Sequence, residues 1–359
     1  MKKICFIDYD MSVTGGVEQV SASLVNALAD HYEVHLLSIC QKGPLAYVLD
    51  PRVRYSVILE QEDRLRQMRQ ALKPKLTEYF NIHDISAAVI QGNYPGFLVS
   101  GIRGQVKTKL IFCDHGALMN QWHRKDIVAI RLIASMLCHY TVTLTQDSRE
   151  AYHRKLLVPN RKLRCIYNWI DLSVPHSQCY NSTSHRIVSA GRFGKEKGFD
   201  MLIKAFAPVA KKHPHWHLDL FGDGEMMPVV QDLIQEYHLE EQVTLLGMRK
   251  DLAQRYGDYA MYVLPSYREG MPLVLLEAKA NRLPIVSFDI LTGPREIVRD
   301  GVDGILVPPY DLEKLGSAMC RLIEDPALRE EMSRRSQENL DTFSRETILN
   351  QWRSLLDSL

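Results

Sequence analysis

Two glutamates, Glu269 and Glu277, stand eight positions apart in an otherwise mostly apolar stretch. Met271, Pro272 and Leu273 lie between them and predict the start of a helix, because proline is tolerated in a first helical turn. Glu269 is then expected in the turn before this helix and Glu277 two turns into it. Free N–H groups and the helix dipole at such a start favour a phosphate or another electron-rich oxygen. The alternative is an exposed amphipathic helix with two solvated glutamates, and the apolar content of the helix argues against it.

A second group that could do chemistry lies in residues 191–198, a loop that glycine bounds on both sides. Arg192 can hold phosphate oxygens through two parallel N–H bonds, and Lys197 adds a point charge. Together these side chains can neutralise a diphosphate without a metal ion. A lysine-rich loop exposed to solvent is the alternative, and the flanking glycines argue against it.

Both groups are predicted to lie directly after a strand. The apolar run Met261–Leu264 predicts a buried strand before the glutamates, and residues 283–289 predict the next strand. Arg186–Ala190 predicts a strand before the 191–198 loop, and a helix follows from about Phe199. A helix that begins at the carboxyl end of a strand marks the edge at which open α/β sheets bind ligands.

The N-terminal half opens with the same pattern. Lys3–Asp8 predicts a strand, a loop ends in Gly15 and Gly16, and apolar residues spaced by three and four from Val17 predict a helix. This unit is typical of a Rossmann-like domain, although the sequence lacks the G-x-G-x-x-G motif of dinucleotide sites. A tight turn between strand and helix is the plainer alternative for the two glycines.

The length of 359 residues favours two α/β domains over one ordinary core. Residues 173–185 are rich in serine, asparagine and proline and have no apolar period, so they predict a linker. We therefore expect Rossmann-like domains in residues 1–172 and 186–343. A final helix is expected over residues 344–359.

Composition narrows the functional classes. The net charge of +1 gives no electrostatic argument for nucleic acid as a partner. The seven cysteines show no C-x2-C pair and no metal-ligand spacing, so we expect reduced thiols in a cytosolic protein. Since no run of 18 apolar residues occurs, we expect no transmembrane helix.

A basic amphipathic stretch occupies residues 62–75, and His123, Arg124, Lys125 and Arg131 could join it. One interpretation is a solvated helix face. The other is a patch for anionic lipid or a lipid-diphosphate acceptor, which would place the protein at the inner face of the membrane.

The stretch from Glu269 resembles the E-x7-E signature of retaining glycosyltransferases with the GT-B fold, most closely those of family 4. Glu269-Gly270 and the sequence PLVLLEA of residues 272–278 match that signature, as do residues 284–286. Lys279 stands where an apolar residue is usual, and residues 281–282 replace a small residue and a glycine. The resemblance implies two Rossmann-like domains that face each other across a cleft, the first for the acceptor and the second for a nucleotide sugar. It also implies that the helix of residues 344–359 crosses back to pack on the first domain.

Further motifs carry the resemblance: GGVE at residues 15–18, GRFGKEKG at 191–198, FGDGE at 221–225, and IYNWID at 166–171, where Trp169 replaces a glycine. By resemblance, His115 points at the donor sugar, Arg192 and Lys197 hold its diphosphate, Glu269 binds sugar hydroxyls and Glu277 binds the ribose. The implied donor-binding residues are Gly15, Gly16, Gly222, Gly224, Gly247, Met248, Arg249, Gly270, Met271, Pro272, Leu273 and Glu277.

The resemblance implies a metal-independent, retaining hexosyltransferase that needs no cofactor besides its donor, with UDP-glucose, UDP-galactose and UDP-GlcNAc as the expected donors. Residues 288–297 resemble the variant found in capsule, exopolysaccharide and lipopolysaccharide assembly, so a glycan or a lipid-linked sugar is the expected acceptor. Two alternatives stay open: a nucleotide-sugar 2-epimerase on the same fold, and a non-catalytic partner subunit.

Overall fold

The computed structural model describes residues 1–170, 180–249 and 251–359. The chain divides into two compact units, one formed by Met1–Asn168 with Glu346–Leu359 and the other by Trp169–Arg345. The division after Asn168 falls before residue 172, at which the sequence suggested the end of the first domain. Residues 173–179 of the expected linker lie outside the described residues, as does Asp171 of the IYNWID motif.

The first unit contains one parallel sheet. Its strands in the described part of the chain are β1 (Lys3–Asp8), β2 (Glu33–Ser38), β3 (Arg54–Val57), β4 (Ala87–Gln91), β5 (Lys109–Asp114), β6 (Tyr140–Thr143) and β7 (Leu163–Cys165). They are ordered β3-β2-β1-β4-β5-β6-β7 across the sheet. The central strands β1, β4 and β5 are nearly continuous apolar runs, because a parallel sheet is covered on both faces.

Helices cover both faces of this sheet. They are α1 (Gly16–Leu28), α2 (Leu65–His83), α3 (Asn93–Ser100), α4 (Lys125–Leu137) and α5 (Gln146–Leu156). Helix α2 is the expected amphipathic helix: it buries Met68, Leu72, Leu76 and Phe80 at spacings of four, and its basic residues lie mainly on the outer face.

The second unit repeats this architecture. Its described strands are β8 (Arg186–Ala190), β9 (His217–Phe221), β10 (Val243–Gly247), β11 (Met261–Leu264), β12 (Ile285–Phe288) and β13 (Gly304–Val307). They pair in parallel in the order β10-β9-β8-β11-β12-β13. Its helices are α6 (Phe199–Lys212), α7 (Met227–Glu236), α8 (Leu252–Arg255), α9 (Leu273–Ala280), α10 (Pro294–Ile297), α11 (Leu312–Glu324) and α12 (Pro326–Arg335). The prediction of two Rossmann-like α/β domains is therefore confirmed.

The last helix, α13 (Arg345–Asp357), belongs from Glu346 onward to the first unit. Its buried Trp352 lies beside Phe6 of β1, with 6.4 Å between the ring centroids. The Lys2 ammonium donates to the carbonyl of Leu356 at 2.6 Å, and the Tyr32 hydroxyl donates to Asp357 at 2.6 Å. Apolar burial and these polar contacts together fix the chain end on the unit that contains the chain start.

Among the helices of the described residues, none combines the length and the apolar character that crossing a lipid bilayer requires.

Candidate active site

The candidate donor site of the second unit lies at the carboxyl ends of three neighbouring strands. Strands β8, β11 and β12 are adjacent in the sheet, and each ends in a loop that carries predicted residues or contacts them. Because the strands are parallel, these loops emerge at one edge. The backbone N–H of Tyr267, in the loop after β11, donates to the carbonyl of Glu196, in the loop after β8, at 2.9 Å.

Lys197 and Glu269 meet in this site although 72 positions separate them. The Lys197 Nζ lies 2.8 Å from Oε1 and 3.1 Å from Oε2 of Glu269, and the Ser266 hydroxyl donates to Oε1 at 2.7 Å. The side chain of Glu269 is only 9% exposed and that of Lys197 is 23% exposed, so water screens the pair less than a surface pair. The structure thus brings together two of the residues predicted to do chemistry.

Arg192 lies in the same loop as Lys197 and is more exposed than Lys197. Its guanidinium pairs with Glu196 at 2.8 Å, and its side chain is 73% exposed. Such an exposed pair contributes little to stability, so the guanidinium can exchange Glu196 for another anion at small cost.

The turn after β12 supports the turn that contains Glu269. The Thr292 hydroxyl donates to the backbone carbonyl of Glu269 at 2.7 Å. Gly293 has a φ of 100°, and a Cβ there would come within 2.7 Å of the Pro272 ring. A glycine is therefore needed for the close approach of this turn to the start of α9.

Glu277 lies on α9, as predicted, but closer to the helix start than expected. The sequence placed it two turns into the helix; since α9 begins at Leu273, Glu277 lies just over one turn in. The Tyr256 hydroxyl donates to its Oε2 at 3.0 Å, and burial raises the pKa of the Glu277 carboxyl. Sequence reasoning missed Tyr256, because a tyrosine before an apolar strand resembles any other core aromatic.

Gly222 and Gly224 lie in the loop after β9, packed on the loop after β8. Gly222 has a φ of 132°, and a Cβ there would collide with the carbonyl oxygen of Gly191. The backbone N–H of Phe193 donates to the carbonyl of Asp223 at 2.8 Å. These glycines thus let two ligand-edge loops touch through their backbones.

Gly247 ends β10, and its carbonyl accepts from the N–H of Gly222 at 2.9 Å. Met248 and Arg249 follow it and are exposed, and Arg249 pairs with Asp251 at 2.9 Å. The predicted donor-binding loops therefore form one connected edge that extends from β10 to β12.

His115 belongs to the first unit and follows β5. Its Nε2 lies 2.6 Å from Oε1 of Gln91, a buried residue at the end of the adjacent strand β4. Burial lowers the pKa of His115 to about 4, so the imidazole is neutral at pH 7. A neutral ring has one donor and one acceptor nitrogen; with Nε2 donating to Gln91, Nδ1 is the acceptor.

Arg131 corrects one sequence prediction. It does not join a basic surface patch, because its side chain is 0% exposed. Its Nε lies 3.0 Å from Oδ2 of Asp114, and the Tyr152 hydroxyl donates to the same carboxylate at 2.7 Å. This buried network holds the chain directly before His115, since the Asp114 carboxylate also accepts from the N–H of Gly116 at 3.1 Å.

Gly15 and Gly16 form the start of α1, also in the first unit. The carbonyl of Gly15 accepts from the Tyr47 hydroxyl at 3.0 Å, and the Glu18 carboxylate lies against the position that a Cβ on Gly15 would take. A Cβ on Gly16 would meet no described atom within 4 Å. Gly16 thus faces open space at a helix start, where a ligand could approach the backbone.

The predicted residues are therefore divided between the units: His115, Gly15 and Gly16 lie in the first, and the others lie in the second.

Two family models match the sequence. The model described as glycosyltransferase family 4 matches residues 14–174, and the model described as glycosyl transferases group 1 matches residues 178–339. Together they span most of the chain.

Similar full-length proteins support this assignment. An uncharacterized glycosyltransferase of Haemophilus influenzae is 27% identical over 99% of this chain and 100% of its own length. The amylovoran biosynthesis glycosyltransferase of Erwinia amylovora is 26% identical over 99% of this chain and 100% of its own length.

The fold also agrees with a solved structure. The Anabaena protein HepE in complex with UDP-glucose matches this chain with a TM-score of 0.83 over 100% of both chains, at 20% identity. Since one family model covers each half of the sequence and the fold agrees, the chain belongs to the group 1, family 4 glycosyltransferases of the GT-B fold.

Proposed function

We propose that this glycosyltransferase moves a hexose from a UDP-sugar to a glycan or lipid-linked acceptor in surface polysaccharide assembly, with retention of anomeric configuration. The observation that carries the proposal is the Lys197–Glu269 pair beside the start of α9. A cation, a carboxylate and a helix N-terminus at one sheet edge suit a substrate with a diphosphate and a hydroxyl-rich ring.

The second unit would stabilise the departing diphosphate. Lys197 and Arg192 supply positive charge, and the backbone N–H groups at the start of α9 supply fixed dipoles. Charge that is already oriented before the reaction stabilises a developing oxyanion without reorganisation. These groups can carry the diphosphate without a metal ion, and we propose that the enzyme is metal-independent.

The two glutamates would bind different parts of the donor. Glu269, in the turn before α9, would accept hydrogen bonds from sugar hydroxyls, and Glu277 would accept them from the ribose. His115 would contact the donor sugar, with Nδ1 as an acceptor for a hydroxyl. Since a diphosphate oxygen leaves from the face on which the acceptor arrives, that oxygen would take the acceptor's proton, and configuration would be retained.

The relatives support the choice of donor and process. HepE was crystallised with UDP-glucose, and the Erwinia amylovora relative is named for amylovoran biosynthesis. By analogy we propose a UDP-hexose and a polysaccharide or its lipid-linked precursor.

A membrane-bound acceptor would agree with the surface of the first unit. Arg64, Arg66, Lys73 and Lys75, at and along α2, are exposed, and Arg69 stacks on the Phe97 ring at 4.4 Å. Exposed lysines and arginines attract anionic lipid headgroups. We propose that this face of α2 makes peripheral contact with the inner surface of the membrane.

Incubation of the full chain with UDP-glucose, UDP-galactose and UDP-GlcNAc tests the proposal. We expect slow release of UDP from at least one donor, because water replaces the missing acceptor. Formation of an epimeric UDP-sugar without net release of UDP would instead identify a 2-epimerase. If no UDP-sugar is turned over and none raises the melting temperature, the proposed donor class is wrong.

A further inference from the structure

Three side chains with metal-binding atoms converge where α6 and α11 pack together in the second unit. His213 follows the last residue of α6, and Cys320 and Glu324 stand four positions apart on one face of α11. One donor atom of each residue lies within 4.8 Å of the other two. Since 107 positions separate His213 from Cys320, no local spacing in the sequence indicates this cluster.

The distances suit a tetrahedral ion. Zinc holds nitrogen and oxygen ligands at about 2.0–2.2 Å and sulfur at about 2.3 Å, which places its ligand atoms about 3.3–3.8 Å apart. The His213 Nε2 lies 3.0 Å from Oε1 of Glu324, close to the lower end of this range of distances. Since no two of the donor atoms lie more than 4.8 Å apart, the Cys320 sulfur needs to move inward by about 1.5 Å at most, which a side-chain rotation supplies.

The two helices hold these residues before any ion binds. Val209 of α6 and Leu315 and Met319 of α11 belong to one buried apolar cluster. The backbone N–H of His213 donates to the carbonyl of Val209 at 2.8 Å, which fixes the residue at the helix end. A ligand set on packed helices loses little conformational entropy on binding, and this favours affinity.

We propose that His213, Cys320 and Glu324 bind a divalent transition-metal ion of the zinc type, with water as the fourth ligand. Imidazole and thiolate ligands favour zinc over magnesium or calcium. The Cys320 thiol releases its proton to the solvent when the sulfur binds the ion, and no oxidation is involved. Because its ligands come from the end of α6 and from α11, the ion would link the two helices and stabilise their packing.

Lys212 competes for this site. Its Nζ lies 2.5 Å from the same Oε1 of Glu324 and brings a positive charge to the place of the ion. The pair is exposed and therefore weak, so a metal ion can displace the ammonium. Removal of Lys212 should therefore strengthen metal binding.

Titration of the reduced, metal-free full chain with Co²⁺, and then with Zn²⁺, tests the proposal. We expect a thiolate-to-cobalt absorption band that saturates at one equivalent and that Zn²⁺ abolishes. Cys320→Ser should remove the band, and His213→Ala and Glu324→Gln should each weaken binding by at least about tenfold. Cys165→Ser, a control in the first unit, should keep the band. A wild-type protein without the band, or a Cys320→Ser variant with it, would overturn the proposal.

Lys212→Ala supplies a second test that misfolding cannot imitate. We expect Zn²⁺ to bind this variant more tightly and to raise its melting temperature more than that of the wild type, because stabilisation by a ligand grows with the logarithm of its affinity. Weaker Zn²⁺ binding in Lys212→Ala would show that the ion does not use the Glu324 oxygen. This site does not depend on the proposed transfer reaction.

Discussion

At the scale of single residues, the contact between Lys197 and Glu269 is the observation on which the proposed donor site depends. Each side chain neutralises the charge of the other. A diphosphate would bind Lys197, and sugar hydroxyls would bind Glu269. Each side chain would then exchange its partner in the pair for a part of the substrate. The site would therefore hold its charges in place without leaving either unpaired.

Replacement of Lys197 by alanine tests the role of this charge. We expect turnover to fall by about 10²–10³-fold, as for the loss of one preorganised contact to a developing oxyanion. Lys195→Ala is the matched control, since Lys195 is exposed in the same loop. Steady-state kinetics with the preferred donor measure both variants. Equal rates in the two would mean that Lys197 is an ordinary loop lysine.

His115 predicts a pH dependence of stability. Because burial lowers its pKa from the ordinary 6.5 to about 4, the unfolded chain binds a proton between these pH values that the folded chain does not. Stability should therefore fall as pH falls through this window. At pH 5, His115→Asn should lose about 2 kcal/mol less of its free energy of unfolding than the wild type does. Urea unfolding at pH 7 and at pH 5 measures this difference.

His123→Asn is the control for this experiment, because His123 is exposed. The same pH dependence in the wild type and in His115→Asn would show that His115 titrates normally in the folded protein.

Sequence motifs predicted Lys197 and Glu269 but not the buried charges that support the sites. Arg131 was expected on the surface and pairs with Asp114 in the interior. Lys279 stands where an apolar residue is usual; it is fully buried and lies 2.7 Å from Asp303. A pattern of apolar residues cannot show that a charge has a partner 17 or 24 positions away, since only the folded chain brings the two together.

At the scale of elements, the loops of the second unit position one another. The turn after β9 packs against the backbone of the loop after β8, and the turn after β12 packs against the start of α9. The sequence predicted β8, β11 and β12 because their apolar runs are strong. It did not predict β3, whose residues are only partly buried or exposed and form no apolar run.

Gly222→Ala tests whether this backbone packing matters. A Cβ would collide with the carbonyl oxygen of Gly191, and the φ of 132° is unfavourable for alanine. We expect a loss of at least about 1–3 kcal/mol of unfolding free energy, measured by urea denaturation. Gly16→Ala is the control, because a Cβ there meets no described atom within 4 Å. Equal stability of Gly222→Ala and wild type would contradict the described loop contact.

At the scale of the whole molecule, the residues predicted to bind substrate are divided between the two units. His115, Gly15 and Gly16 lie in the first unit, and the charged residues and α9 lie in the second. The family and the fold were predictable from the sequence, because motifs lie at strand ends in both halves of the chain. Residues 40–110 carry no such motif, so the acceptor was not predictable in the same detail.

Removal of metal ions tests the proposed chemistry of the whole enzyme. We expect turnover to survive excess EDTA at 25 °C, because in the proposed mechanism side-chain cations and a helix terminus would stabilise the diphosphate. Cys320→Ser, treated in the same way, separates this result from loss of an ion between α6 and α11. An absolute requirement for Mg²⁺ or Mn²⁺ in both proteins would refute the metal-free mechanism.

The separate roles of Glu269 and Glu277 are the central claim of the donor site. Glu277 would bind the ribose, which donor and free UDP share. Glu277→Gln should therefore lose this contact both in the complex with the donor and in the complex with UDP. Glu269 would bind the sugar, which UDP lacks. Its removal also frees Lys197 from a competing carboxylate.

Calorimetry with UDP on the two variants tests this claim most directly. We predict that Glu277→Gln weakens UDP binding by about tenfold or more, the cost of a hydrogen bond to a charged group. Glu269→Gln should keep the wild-type UDP affinity or exceed it, while its turnover of the UDP-sugar falls. An equal loss of UDP affinity in both variants, or an unchanged affinity in Glu277→Gln, would contradict the account.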